Sequence, residues 1–94
     1  MSEIHVRRTH GLALKRARQK AEHIAEELSE EFGIEYAWDG AELRFQRPGL
    51  SGEIAVGKKD VEIHVKLGFL LMALRGRIER EIHAFCDENF GAES

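Results

Sequence analysis

Residues 34–67 read IEYAWDGAELRFQRPGLSGEIAVGKKDVEIHVKL, and this stretch decides the fold. Apolar residues alternate with polar ones through four short runs, a pattern typical of strands that bury one face. Residues that favour turns separate the runs: Asp39-Gly40, Arg47-Pro48-Gly49 and the segment 57–60. An Asp-Gly pair between alternating runs is a strong hairpin signal. We therefore predict four consecutive antiparallel strands with one apolar and one polar face.

The flanking sequence adds one strand and two helices. Ile4 and Val6 alternate with polar neighbours and predict a first strand. A helical stripe with spacings of three and four follows and ends at Gly33; its members are Leu14, Ala17, Ala21, Ile24, Ala25, Leu28 and Phe32. A second helix is predicted over 69–90, with one face formed by Leu71, Leu74, Ile78, Ile82, Phe85 and Asn89.

The predicted element order is β-α-β-β-β-β-α. If each connection reverses the chain direction, the first strand lies beside the fifth, which gives the spatial order 1-5-4-3-2 in a single antiparallel sheet. Both helices then cover the apolar face. We predict one α+β domain over residues 1–94, resembling a shortened helix-grip fold.

Composition narrows the class of protein. The 94 residues are 43% apolar and 33% charged, as in a folded domain. A single cysteine, Cys86, excludes an internal disulfide. The N-terminal sequence MSEIHVRRTH lacks the apolar run of a secretory signal, and the longest apolar stretch is far shorter than the roughly 18 residues of a membrane span. We expect a cytoplasmic protein without a transmembrane segment.

Charge is polarised along the first helix. The segment 7–20 contains six basic residues and no acidic one, namely Arg7, Arg8, Lys15, Arg16, Arg18 and Lys20. The segment 22–35 contains six acidic residues and no lysine or arginine. This arrangement opposes the helix dipole. It is either an ordinary solvated face or a binding segment for an acidic partner; the net charge of −3 and the absence of a recognition signature disfavour nucleic acid.

The run Phe69–Leu74 is the second candidate for a binding surface. Six consecutive apolar residues cover every direction around a helix, and a sheet buries only one side. In one interpretation, Leu12 and Leu14 pack against the remainder. In the other, Leu71 and Leu74 belong to the core, while an interaction surface for a second subunit or an apolar particle is formed by Phe69, Leu70, Met72 and Ala73.

Signals for catalysis and for metal binding are weak. His5 and His64 fall on neighbouring strands with Glu62 or Glu53 nearby, but no HxH or HExxH spacing supports a zinc site. Cys86 and His83 share a helix without a third group to orient them. We predict no catalytic residues, no metal and no cofactor.

Three segments carry a family resemblance: IHVRRTHGL at 4–12, AEELSEEFGIEYAW at 25–38 and VKLGFLLMALRGRIEREI at 65–82. They resemble the polyhydroxyalkanoic acid system proteins, small proteins encoded beside bacterial polyhydroxyalkanoate synthesis genes. The resemblance extends from Ile4 to about Phe85 and brings no catalytic residues. It implies a non-enzymatic cytoplasmic module associated with storage granules or their proteins. The alternative is a small regulatory adaptor that binds an acidic partner through the basic segment.

Overall fold

Five strands, two α-helices and one 3₁₀ segment make up the part of the chain that the structure describes. The computed structural model describes residues 2–90, so Met1 and residues 91–94 of the predicted domain lie outside it. The elements, in chain order, are β1 (Ser2–Thr9), α1 (Leu14–Phe32), β2 (Glu35–Asp39), β3 (Glu42–Arg47), β4 (Leu50–Val56), β5 (Asp60–Leu67), the 3₁₀ segment (Phe69–Leu74) and α2 (Arg75–Phe90). The α+β class predicted from the sequence is confirmed.

The sheet has the order β1-β5-β4-β3-β2, and all neighbouring strands are antiparallel. This is the predicted order 1-5-4-3-2. The chain's first strand pairs with its last along its whole length, from Ser2 opposite Leu67 to Thr9 opposite Asp60. β1 and β2 are the two edge strands, and β5 and β4 lie inside the sheet.

The first hairpin closes with the pair Asp39 and Glu42, so its two-residue loop is Gly40-Ala41. Gly40 has a φ of 65°, which a glycine adopts without steric cost. A glycine at the first loop position is characteristic of a type II′ turn, whose twist matches that of the flanking strands. The Asp-Gly signal therefore located the hairpin one residue too early.

Both helices cover one face of the sheet and enclose a single core. α1 buries Ala17, Ala21, Ile24, Ala25, Leu28 and Phe32, and α2 buries Ile78, Ile82, Phe85, Cys86 and Asn89. Leu14, which the sequence placed in the α1 stripe, is 42% exposed. It is the first residue of the helix and lines a groove with Trp38 at the β2 edge, beyond the apolar face of the sheet.

The end of α1 matches the expectation from Gly33. This glycine has a φ of 69°, and its N–H donates to Ser29 O at 2.9 Å. Arg47 Nη1 donates to Phe32 O at 2.7 Å and so satisfies another carbonyl of the last turn. The helix has no acidic residue in its first turn and no basic residue in its last, so the charge arrangement does oppose the dipole.

The last helix begins later than predicted. Residues 69–74 form a 3₁₀ segment and α2 starts at Arg75. A 3₁₀ helix has three residues per turn and rises about 2.0 Å per residue, so its side chains are not in register with the apolar stripe of an α-helix. Leu74 is consequently 37% exposed, and the prediction that it belongs to the core is wrong.

Gly52 offers a test of the packing between β4 and its neighbours. A Cβ atom at this position would lie 2.5 Å from His64 O and 2.8 Å from two ring atoms of Phe45. We expect Gly52→Ala to lower the free energy of unfolding by about 1–3 kcal/mol, the usual range for overpacking a core. Urea denaturation followed by circular dichroism measures the change.

Gly11 provides the control, because a Cβ atom there would meet nothing within 4 Å. Gly11→Ala should change the free energy of unfolding by less than about 0.5 kcal/mol. Equal stability of the two variants would contradict the close approach at Gly52.

Candidate functional site: an exposed apolar 3₁₀ segment

The 3₁₀ segment Phe69–Leu74 contains the two most exposed large apolar side chains among the residues that the structure describes. Phe69 is 88% exposed and Leu70 is 78% exposed, and Met72 and Ala73 are also exposed. Only Leu71 turns inward, where it packs as a half-buried side chain against the core. A cluster of this kind at one point of a folded domain is typical of an interaction surface.

The segment is held firmly at its base. Gly68 N–H donates to Gly49 O at 2.8 Å, and Leu71 N–H donates to Gly68 O at 3.1 Å. Gly49, in the turn between β3 and β4, has a φ of 86°, and a Cβ atom there would lie 3.3 Å from Leu71 Cγ. The Gly49 turn and Gly68 therefore hold the side of the segment that carries Leu71. The other side chains of the segment point away from the core.

The exposure of Phe69 and Leu70 decides between the two interpretations of this run. Leu12 packs partly against the core, and Leu14 is itself exposed. Since neither leucine covers Phe69 or Leu70, the interpretation in which α1 buries the run is wrong. The four residues predicted as an interaction surface are all exposed; whether they bind anything stays a prediction.

A groove of about 670 Å³ lies beside the base of the segment and is lined in part by Pro48, Gly49, Leu50 and Gly68. Arg47 and Lys66 also line it.

Among residues 2–90, no helix has the length and apolar content needed to cross a membrane.

The predicted basic segment is divided by the fold. Arg7 lies on the open polar face of β1, where it donates two hydrogen bonds to Asp60 Oδ2 at 2.9 and 2.7 Å that raise its pKa. Arg8 points to the opposite face, is only 5% exposed, and binds Asp87 Oδ1 at 2.5 Å and His83 Nδ1 at 2.9 Å. The other four cations belong to α1. The six basic residues thus do not form one continuous surface.

The histidine pair is arranged as the strand order predicts. His5 lies directly opposite His64, with ring centroids 5.7 Å apart. His5 Nε2 is 2.8 Å from Glu62 Oε2, and His64 Nε2 is 2.5 Å from Glu3 Oε1. Each imidazole is thus bound to a carboxylate on the neighbouring strand. Within residues 2–90, no group of three or more histidine, cysteine or acidic side chains is placed to hold a metal ion.

Cys86 is a poor nucleophile. It is fully buried, and desolvation raises the pKa of its thiol to about 11, with Asp87 adding to the rise and Arg8 opposing it. His83 Nδ1 accepts a hydrogen bond from Arg8, so that nitrogen is engaged elsewhere. Because the thiolate is the reactive form, this pair lacks the activated sulfur that cysteine catalysis requires.

A cluster at the β2 edge was missed in the sequence. Trp38 Nε1 donates to Glu22 Oε1 at 2.8 Å, and the guanidinium of Arg18 lies 4.7 Å from the centre of the Trp38 ring. With Leu14 these side chains line a groove of about 420 Å³. The alternation of apolar and polar residues in β2 predicted that Trp38 is an ordinary core residue. The only signal for the cluster was the combination of the edge position of β2 with the polarised charge of α1.

Comparison with known proteins gives one match. A family model described as "Putative polyhydroxyalkanoic acid system protein" matches residues 4–90. A search of curated proteins found no match, and neither did a search of solved structures.

The burial of Cys86 predicts a slow reaction with iodoacetamide. At pH 8 a thiol with a pKa of about 11 is ionised in roughly one molecule in a thousand, and reagent access requires local unfolding. We expect the native protein to be alkylated at least about a hundredfold more slowly than the same protein in urea. Mass spectrometry of timed samples measures this rate.

A variant that moves the thiol to the surface is the control. Ala84 is exposed on the same helix, so the double variant Cys86→Ala with Ala84→Cys should react rapidly without denaturant. Rapid labelling of Cys86 in the native wild-type protein would show that the thiol is accessible.

Proposed function

The chain belongs to the polyhydroxyalkanoic acid system protein family, and from this premise we propose that it is a non-enzymatic module attached to polyhydroxyalkanoate storage granules or their proteins. The attachment surface is the 3₁₀ segment, through Phe69, Leu70, Met72 and Ala73. In this proposal the protein acts in the cytoplasm, at the surface of the granule. The burial of Cys86 supports a role other than cysteine catalysis.

The exposure of Phe69 and Leu70 is the observation that carries the proposal. Transfer of a Phe or Leu side chain from water to an apolar environment contributes about 1.5–3 kcal/mol. Two such residues side by side therefore supply enough free energy for reversible attachment to an aliphatic polyester. Left in water, the two side chains contribute almost nothing to the stability of a domain this small, whose core has few apolar residues to spare.

The anchoring of the segment strengthens the case. Binding costs less when the contact residues are already ordered, because less conformational entropy is lost. The hydrogen bond from Gly68 to Gly49 and the inward packing of Leu71 hold the segment before any partner arrives. An apolar loop without such anchoring would lose part of its binding free energy to ordering.

The alternative function, an adaptor that binds an acidic partner through segment 7–20, has less support. Arg8 is buried against Asp87 and His83, and Arg7 is bound to Asp60 on the other face of the sheet. Only the α1 cations are left for such a partner. The dependence of binding on salt concentration distinguishes the two functions. Contacts between exposed charges weaken as ionic strength rises, and apolar attachment does not.

Partition onto polyhydroxyalkanoate particles tests the proposal. We expect the wild-type protein to sediment with washed particles at both low and high salt. The double variant Phe69→Glu, Leu70→Glu should bind at least about tenfold more weakly, because it loses apolar contact and must desolvate two carboxylates. Its thermal melt should match the wild type within a few degrees, as expected for surface changes.

Ala84→Glu is the matched control, because it adds a carboxylate at an exposed position of α2. This variant should bind particles as the wild type does. Unchanged binding of the Phe69→Glu, Leu70→Glu protein would refute the assignment of the surface. Binding that disappears at high salt would favour the charged adaptor instead.

A further inference from the structure

The outer side of β2 and the adjoining side of α1 form a second surface, which we call the β2 edge surface. In an antiparallel ladder alternate residues direct their backbone N–H and C=O groups away from the paired strand, so a terminal strand can accept another. Leu14, Tyr36 and Trp38 place apolar area beside this edge, and Leu14 and Tyr36 are exposed. β2 is short, and no proline interrupts it.

The side of α1 that faces β2 changes sign along its length. Arg18 reaches the hairpin loop at the end of β2, where Nη2 donates to Gly40 O at 3.0 Å. Farther along α1, Glu22 binds Trp38. The pKa of Tyr36 is raised by desolvation and by the nearby Glu26 and Glu22. At 100° per residue, Arg18, Glu22 and Glu26 lie within an 80° sector of the helix. The edge is therefore cationic at its Gly40 end and anionic near Tyr36.

A surface with this polarity is complementary to itself when one copy is reversed. We propose that the chain forms a two-fold symmetric homodimer in which the β2 strands of two copies pair antiparallel, extending the sheet to ten strands. The two α1 helices then lie antiparallel on the same side of the joined sheet. The cationic end of each faces the anionic end of the other, as an isologous interface requires.

The contacts within the chain fix which charges meet. Arg18 and Glu22 both contact Trp38. Arg18 also reaches Gly40, so α1 runs antiparallel to β2, and Glu26, one turn beyond Glu22, lies near the level of Tyr36. A two-fold axis at Ala37, between these two aromatic residues, therefore sets Arg18 of one copy against Glu26 of the other, twice. It also brings the two Glu22 side chains towards each other, an unfavourable contribution that the hydrogen bond of each Glu22 to its own Trp38 reduces. Tyr36 then faces Trp38 of the second copy, the kind of aromatic pair that stabilises neighbouring strands.

The open face of the joined strands carries one opposing contribution. The same register sets Glu35 opposite Asp39 of the second copy, and like charges directly opposite are unfavourable. Arg44 already binds Asp39, with Nε 3.2 Å from Oδ2. This cation offsets the repulsion on each side of the axis.

The dimer also explains why α1 tolerates charges that oppose its dipole. In the isolated chain each such charge costs about 0.3–1 kcal/mol. Beside an antiparallel copy, the N-terminal half of α1, which carries Arg18, faces the C-terminal half of the other helix, which carries Glu26. Side-chain charge and helix dipole then act with the same sign across the interface, so the arrangement that weakens the monomer stabilises the pair.

Sedimentation equilibrium of charge-reversal variants tests this interface. Arg18→Glu sets two carboxylates against each other at both contacts, and Glu26→Lys does the same with two cations. We expect each variant alone to dimerise at least about tenfold more weakly than the wild type. An equimolar mixture of the two variants should recover dimers, because both contacts between positions 18 and 26 in the mixed pair join opposite charges.

Arg16→Glu is the control for net charge. Arg16 is exposed and lies about 160° around α1 from Arg18, so its reversal should leave dimerisation unchanged. Thermal melts of all variants establish that each one is folded. Mixing then separates the interface from any effect on stability, since two merely destabilised chains would not rescue each other.

Trp38 is the only tryptophan and reports on this edge directly. Its fluorescence emission should shift to shorter wavelength as the wild-type concentration rises through the dimerisation range. Wild-type protein that stays monomeric at about 100 μM would overturn the proposal. So would a dimer that is insensitive to both reversals but lost in the Phe69→Glu, Leu70→Glu variant. Particle attachment uses a different surface, and its failure would leave this test unaffected.

Discussion

Burial of one sheet face under α1 and α2 is the interaction on which the rest of the structure depends. β5 lies inside the sheet, and its inward side chains Val61, Ile63, Val65 and Leu67 are all fully buried. The pairing of β1 with β5 extends this apolar face to the far edge, where α2 packs. Apolar burial at about 25 cal/mol per Å² is the main favourable contribution available to a domain of this size. Apolar side chains outside the core therefore require an explanation.

Two groups of apolar side chains lie outside that core, and they differ in chemistry. The 3₁₀ segment exposes Phe69 and Leu70 with no charge of its own. At the β2 edge, Trp38 is surrounded by Arg18 and Glu22. The first surface can make only non-directional apolar contacts, as an apolar particle does. The second has the directional hydrogen bonds and paired charges of a protein interface. An antiparallel pair joined at β2 would carry its two 3₁₀ segments at opposite ends of the strands.

The polar groups that are buried or shared tie the elements of the fold together. Arg8 joins the end of β1 to the last turns of α2 through Asp87 and His83. Asn89 Oδ1 lies 3.0 Å from His23 Nδ1 on α1, and its amide donates to Phe85 O at 2.8 Å. Arg77 binds Glu31 and lies over the ring of Phe32. The contacts of Asn89 and Arg77 join α2 to α1 and add directional restraints to the apolar packing between the helices.

The sequence by itself determined the class, the strands and their order, the end of α1 at Gly33, and the fact that the sheet could not cover all of Phe69, Leu70, Met72 and Ala73. These features follow from local rules: a period of two for strands, glycine at a positive φ, and the inability of a sheet to cover all sides of a helix. The structure then decided that α1 does not cover those four side chains either. Tertiary structure alone decided that Arg8 is buried, that Leu14 and Leu74 are exposed, and that the basic segment is divided. The burial of Arg8 depends on Asp87 and the surroundings of Leu14 on Trp38, both far away in the chain, whereas the exposure of Leu74 follows from the 3₁₀ geometry of its segment. The periodicity of a sequence shows which side of a helix or strand a residue occupies. What packs against that side is decided by contacts between residues roughly 20 to 80 positions apart in the sequence.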